Sequence, residues 1–399
     1  MAKQGLRFTQ GYANSPVCSP TRFALMTGRW QHRLRGGADE PIRSSAARGD
    51  PRLGLPPAHP TLPSLLRDAG YATALVGKWH LGFPPNFGPL RSGYQEFFGM
   101  LSGGMDYFSH LDTAGIHDLW EGEQEVFRKG YLTDLISDRA VRAIKKFKHQ
   151  PFLLSVHYNA PHWPWLTRKD AAESKRIDRI YHFDGGSLAT YHTMIRQMDE
   201  GISKILNELK RNGNERDTLV VFTSDNGGER FSDTWPLVGR KMDLLEGGIR
   251  VPYIVRWPGV VKPGGVTAQH AVTMDWVPTF LEAAGVKPHA GYPLDGISLM
   301  KVLKSPKKTV KRDLYWKMLY REQRALRSGG WKYLSVEGNE FLYNLALDER
   351  ERANWGKREP ERLAAMRAKY QAWDDSLPKH PDATYSVPAT KADLATPSS

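Results

Sequence analysis

One cysteine in 399 residues, Cys18, excludes any intramolecular disulfide, so cysteine usage says little about compartment. No run of 18 apolar residues occurs, which excludes a membrane-spanning helix. Zinc-finger spacings, an RNA-binding signature and a long Lys/Arg block are absent too, and with them the usual grounds for a nucleic-acid partner. The formal charge is nonetheless +13, spread along the chain with one denser patch at 301–312. A charge of that sign favours polyanionic partners without naming one.

The length allows a large core and suggests two domains, or one with an appendage. A short helix is expected over 21–28, with Ser19 as N-cap and Pro20 in its first turn. Residues 36–60, without hydrophobic period and rich in Arg, Gly, Ser and Pro, read as a surface loop. Thr61 caps a helix to 68, and a buried strand over 71–76 then delivers Gly77-Lys78-Trp79-His80-Leu81-Gly82. Helical periodicity covers 131–148 and 188–211, and a further helix spans 275–284. Apolar strands at 152–158, 218–223 and 251–257 alternate with them; the first runs into Pro161-His162-Trp163-Pro164-Trp165 and the second ends in Ser224-Asp225-Asn226-Gly227-Gly228. The helix-then-strand order argues for an α/β fold, a mixed or mostly parallel central sheet flanked by helices. From 306 the pattern changes to an antiparallel meander with a closing helix over 359–373, which gives domains at 1–305 and 306–399.

Cys18 lies at the start of the 21–28 helix, where free backbone N–H groups and the positive end of the dipole make a seat for an oxyanion. Taken singly, such a cysteine is most often a small buried hydrophobe. The segment Val17-Cys18-Ser19-Pro20-Thr21-Arg22, however, resembles the signature of the type I sulfatases, and Thr27-Gly28-Arg29 and Phe8-Thr9-x-x-Tyr12-x-x-x-Pro16 fit it as well. Gly77 to Gly82 resembles the second signature of that family, about fifty residues further on. The resemblance runs from about 8 to 373 and implies an alkaline-phosphatase-like fold with a smaller antiparallel C-terminal subdomain.

It also implies a chemistry. Cys18 would be oxidised to formylglycine by a maturation enzyme, its hydrate serving as nucleophile, with Arg22 steadying the hydrate. Lys78 would bind a sulfate oxygen, His80 the formylglycine hydroxyl, and His162 the sulfate ester. Lys241 matches the second sulfate-binding lysine, although Arg240 replaces the second glycine of that motif. Fixed cations around three oxygens suit sulfate transfer, because charge redistributes there in the transition state. Asp225 and Asn226 would form half of a site for Ca2+ (or Mg2+). His157 reads as a packed core histidine, His182 and His192 as surface, and Asp275 and Asp295 as local braces.

The family usually begins with a strand ending in paired aspartates, and that stretch is absent here; Met1-Ala2-Lys3-Gln4-Gly5 is neither signal nor transit peptide. The expectation is a metal site short of two carboxylates, an impaired enzyme and a sheet short of one strand. A periplasmic or secreted location follows from the resemblance only for a chain that starts further upstream. The function implied is hydrolysis of sulfate esters, aryl or carbohydrate, with a sulfated small molecule or glycan as substrate. Two other readings stay open, a phosphonate or phosphodiester hydrolase of the same superfamily and a non-catalytic sulfoglycan-binding paralogue.

Overall fold

Strand β1 (Leu6–Tyr12) leads through a tight bend into α1 (Cys18–Thr27) in the computed structural model, which describes residues 1–177, 180 and 185–386. The helix starts three residues earlier than expected, with Val17 rather than Ser19 at its N-cap and Cys18 as its first residue. Thr21 explains the shift, since its Oγ1 accepts from Ser15 N and donates to Ser15 O, both at 3.0 Å, pinning the lead-in without a side-chain cap. Pro20 falls in the first turn, where its missing N–H costs nothing. Gly28 ends the helix at φ 67°, and a Cβ there would lie 2.8 Å from Val277 Cβ, so both conformation and space require glycine.

The 36–60 stretch is not the surface loop expected. It contains the short helix α2 (Ser44–Ala47) and buries Ala38, Glu40, Ile42, Leu53 and Leu55. Burial without a period leaves no trace in a hydrophobic pattern. Helix α3 (Leu62–Asp68) carries the Thr61 cap in a reciprocal box with Ser64, 3.2 and 2.9 Å, and feeds β2 (Ala72–Lys78), buried throughout. Strands β3 (Glu96–Met100), β4 (Trp120–Glu121) and β5 (Gln124–Glu125) precede α4 (Leu132–Lys146) and β6 (Phe152–His157). After α5 (Ala171–Arg176), α6 (Leu188–Arg211) starts at Ser187, whose Oγ accepts from Thr190 N at 3.0 Å. His192 is exposed on it as expected, whereas His182 lies outside the described residues. The order continues β7 (Val220–Thr223), α7 (Glu246–Ile249), β8 (Tyr253–Arg256), β9 (Gly265–Val272), α8 (Trp276–Ala284) and α9 (Met300–Lys304). It closes with β10 (Asp313–Met318), β11 (Gln323–Ser328), β12 (Trp331–Val336), β13 (Asn339–Asn344) and α10 (Pro360–Asp375).

These elements form two compact units, one of 42–218 with 284–292 and one of 1–41, 219–283 and the chain from 293. Each unit carries mixed strands flanked by helices, as the α/β reading expects. The 42–218 unit holds the order β5-β4-β3-β2-β6, with β2 parallel to β3 and β6, and α4 packs Ala143 against Ala72 and Ala74. The other unit holds β7-β8-β1-β9, with β1 antiparallel to β8 and parallel to β9. It also carries the antiparallel meander β10 to β13, backed by Met366 and Tyr370 of α10. Every residue of β6 and β7 is half-buried. Among the described residues no helix is long and apolar enough to cross a membrane.

Candidate active site

Arg22 stands one helical turn after Cys18, so the two share a face of α1, with 7% and 3% exposure. Its Nε donates to Asp225 Oδ2 at 2.9 Å, from the turn that follows β7. That turn is glycine by necessity, since a Cβ on Gly227 would sit 2.0 Å from Gly247 O. The chain then makes a twelve-residue excursion, 229–240, and returns to its starting point, with Lys241 N donating to Gly228 O at 2.8 Å. Lys241 Nζ reaches Glu229 Oε2 at 3.2 Å. Met242, at φ 78°, donates its N–H to Pro16 O at 3.1 Å, two residues before Cys18. Helix α1, Asp225 and Lys241 are thus one bonded group.

The replacement of glycine by Arg240 does no damage. The left-handed positions here are Gly239 and Met242, so Arg240 needs no glycine conformation, and its N–H is held by Asp243 Oδ2 at 3.1 Å. Gln323 of β11, which sequence reasoning missed, clamps the same turn. Its Nε2 donates to Met242 O at 2.8 Å and its Oε1 accepts from Leu244 N at 2.9 Å. Its signal in the sequence is nil, because its partners are backbone atoms eighty residues away. Glu246 is scaffold, buried among Tyr12, Arg327 and Lys332, with Lys332 Nζ at 3.0 Å. Asp275 caps Val272 N at 2.8 Å and pairs with Arg312, and Asp295 takes a two-point bond from Arg33 at 2.7 Å.

The 42–218 unit holds the other motif residues. Lys78 ends β2, buried to 3%, and His80 follows at φ 60°. His80 Nε2 lies 2.9 Å from Ile42 O, an acceptor only, so Nε2 carries the proton and Nδ1 the lone pair of the neutral ring. His162 Nδ1 is fixed in the same way on Trp163 O at 2.8 Å, which leaves Nε2 as its exchanging nitrogen. Both rings flank the dipeptide Gly103-Gly104, for added Cβ atoms would lie 2.4 Å from His80 Cε1 and 3.0 Å from His162 Cε1. His157 is not simply core: half-buried at the end of β6, it directs Nδ1 to Lys78 O at 3.1 Å and braces that lysine's backbone.

Electrostatics sort the roles. Burial opposes the charge on Lys241, but the carboxylate of Glu229, then Cys18 and Asp225, outweigh it and raise the ammonium pKa above its ordinary value. Lys241 is therefore a fixed cation near neutral pH. For a metal, Asn226 Oδ1 is buried and without a hydrogen bond, as a ligand oxygen would be, while Asn226 Nδ2 donates to Gly227 O. The Asp225 carboxylate, however, is already engaged by Arg22. Among the described residues no cluster of three or more His, Cys, Asp or Glu could hold a metal ion. Two oxygens with one negative charge do not by themselves fit a cation that takes six to eight ligands.

Cys18 and Arg22 on one helical turn, the Asp225-Asn226 turn bonded to Arg22 and the charged Lys241 thus stand together in one α/β unit. Residues 1–286 match the family model described as Sulfatase, and residues 239–346 that described as N-sulphoglucosamine sulphohydrolase, C-terminal; the chain belongs to the sulfatase family. N-acetylgalactosamine-6-sulfatase of Mus musculus is 33% identical over 329 residues, covering 76% of this chain and 60% of that protein. The uncharacterized sulfatase YdeN of Escherichia coli (strain K12) is 31% identical over 328 residues, covering 76% and 56%. The chain thus spans well under two thirds of the length of these curated relatives. Among solved structures, Ps i-CgsB in complex with k-i-k-neocarrahexaose superposes with a TM-score of 0.86 at 29% identity, covering 97% of this chain and 88% of the other. The fold is that of the alkaline-phosphatase-like sulfatases, a class that uses a formylglycine and a divalent metal.

Proposed function

We propose that the chain hydrolyses sulfate esters of carbohydrates through a formylglycine made from Cys18. The observation that carries this is the bonded group of Cys18, Arg22, Asp225 and Lys241, in which the lysine is held charged beside the cysteine. The relatives' names, N-acetylgalactosamine-6-sulfatase above all, support a sulfated sugar as substrate, and the excess of basic residues suits it.

In the proposed reaction one hydroxyl of the formylglycine hydrate gives its proton to the Asp225 carboxylate and attacks sulfur, and the bond from sulfur to the sugar oxygen breaks. The departing oxygen takes a proton. Lys241 is a poor donor, because its pKa is pushed far above the working pH, so His162 is assigned the role. Lys241 and Lys78 act instead as point charges on sulfate oxygens, and Arg22 holds Asp225 against the hydrate. His80, with Nδ1 as its basic nitrogen, then takes the proton of the second hydroxyl; the carbonyl re-forms and sulfate leaves. Asp225 and Asn226 are proposed as two ligands of a Ca2+ or Mg2+ ion that needs further donors, and none of these steps is routed through it.

The test is turnover of matched aryl sulfate and aryl phosphonate esters by the chain co-expressed with a formylglycine-generating enzyme. Faster sulfate turnover supports the reading. A preference for the phosphonate replaces it with the phosphonate hydrolase, and binding of sulfated glycan without turnover replaces it with the binding paralogue.

A further inference from the structure

We propose that Trp235 is a stacking platform for the sugar ring next to the sulfated one, a subsite that rests on the sulfated-glycan reading above. Trp235 belongs to the 229–240 excursion, whose two ends are joined by the 2.8 Å bond between Lys241 N and Gly228 O. One foot of this loop therefore continues the Asp225-Asn226 turn, and the other carries the Lys241 ammonium. Compact loops closed at their base in this way commonly carry function.

The tip is braced rather than loose. Trp235 N donates to Asp233 Oδ1 at 2.9 Å, Leu237 N to Thr234 O at 2.8 Å, and Thr234 Oγ1 to Leu237 O at 3.3 Å. Upon this frame the indole is 69% exposed, beside Val238 at 41%. Burying such a ring is worth about 2–3 kcal/mol, a gain that its exposure leaves open to a ligand. The guanidinium carbon of Arg350 lies 4.0 Å from the ring centroid and covers one face, so the exposure belongs to the other face and the edges.

A flat aromatic face with a fixed cation behind it suits one ligand chemistry. A pyranose offers a face of C–H groups to the ring, and the sulfates along a sulfated oligosaccharide are drawn to the charge of Arg350. A small aryl sulfate ends at the reacting group and would not reach beyond the loop's feet.

The experiment uses the full chain, matured by a formylglycine-generating enzyme, with sulfated neocarrahexaose and a small aryl sulfate as the two probes. Trp235→Ala should raise KM for the hexasaccharide tenfold or more with kcat little changed, and Trp235→Phe should restore most of the loss. Turnover of the aryl sulfate should stay within twofold in both variants. An unchanged KM for the hexasaccharide in Trp235→Ala, beside normal aryl sulfate turnover, overturns the platform alone. Loss of turnover of both probes in the unsubstituted protein overturns the hydrolase reading, and calorimetric binding of the hexasaccharide to Cys18→Ala then decides the platform. Tenfold weaker binding on adding Trp235→Ala supports it; equal binding, or none to either protein, overturns it.

Discussion

The Nε of Arg22 donates to Oδ2 of Asp225 at 2.9 Å, closing a span of 203 residues between the helix that carries Cys18 and the turn after β7. Both groups are largely withdrawn from water, with side-chain exposures of 9% and 25%. A guanidinium presents its donors in a fixed plane, which a lysine cannot reproduce. Arg22→Ala and Arg22→Lys should therefore each reduce kcat on an aryl sulfate a hundredfold or more. Asp225 would be left charged and half-buried, so the melting temperature should also fall by several degrees. Full activity in Arg22→Lys would show that only the charge matters at this position.

Cys18 should be formylglycine when the chain is made with a maturation enzyme. Its place at the first residue of α1, 3% exposed, means that modification must precede or accompany folding. Mass spectrometry of the peptide 9–22 should show loss of the thiol, and a chain refolded from the unmodified state should stay unmodified when the same enzyme is added afterwards. Cys18→Ala should abolish turnover with little change in melting temperature, since the site loses one small side chain.

Motifs read from the sequence found residues whose partners are fixed by local chain geometry. Thr61 was legible because a helix cap is written within four residues of itself. The meander was legible because its strands alternate and follow one another. The start of α1 was not, because Thr21 bonds back to Ser15 and relieves Ser19 of the capping role. Gln323, His157 and Ile42 escaped for a different reason: each acts on or through a backbone atom distant in sequence, and a backbone partner imposes no residue type.

Lys78→Ala and Lys241→Ala should each lower kcat/KM a hundredfold or more, roughly 3 kcal/mol of transition-state stabilisation. Lys146→Ala and Lys210→Ala remove exposed charges and should change it less than twofold. Because the Lys241 pKa is raised, its ammonium should impose no limb on the pH profile of kcat between pH 5 and 9. A limb in that range that disappears in Lys241→Arg would reassign this lysine as the proton donor in place of His162.

Glu40 supplies a pH dependence of stability with a definite sign. Burial pushes its carboxyl up to about 8, against the opposing pull of the Leu319 and Tyr320 N–H groups and of Lys317. The folded protein therefore holds a proton there between the ordinary carboxylate pKa and about 8, where the unfolded chain has released it. Stability from this group is fully present at pH 4 and is lost as the pH rises through 8. Glu40→Gln keeps the shape and cannot titrate, so its melting temperature relative to the unsubstituted protein should rise by several degrees between pH 5 and pH 9. His32, whose pKa burial lowers to about 3, acts in the opposite direction below pH 6.5, but equally in both proteins, and so drops out of the difference. A difference that stays flat across pH 5 to 9 would mean that Glu40 is ionised in the fold, paired through the 2.7 Å bond from Leu319 N rather than neutralised by burial.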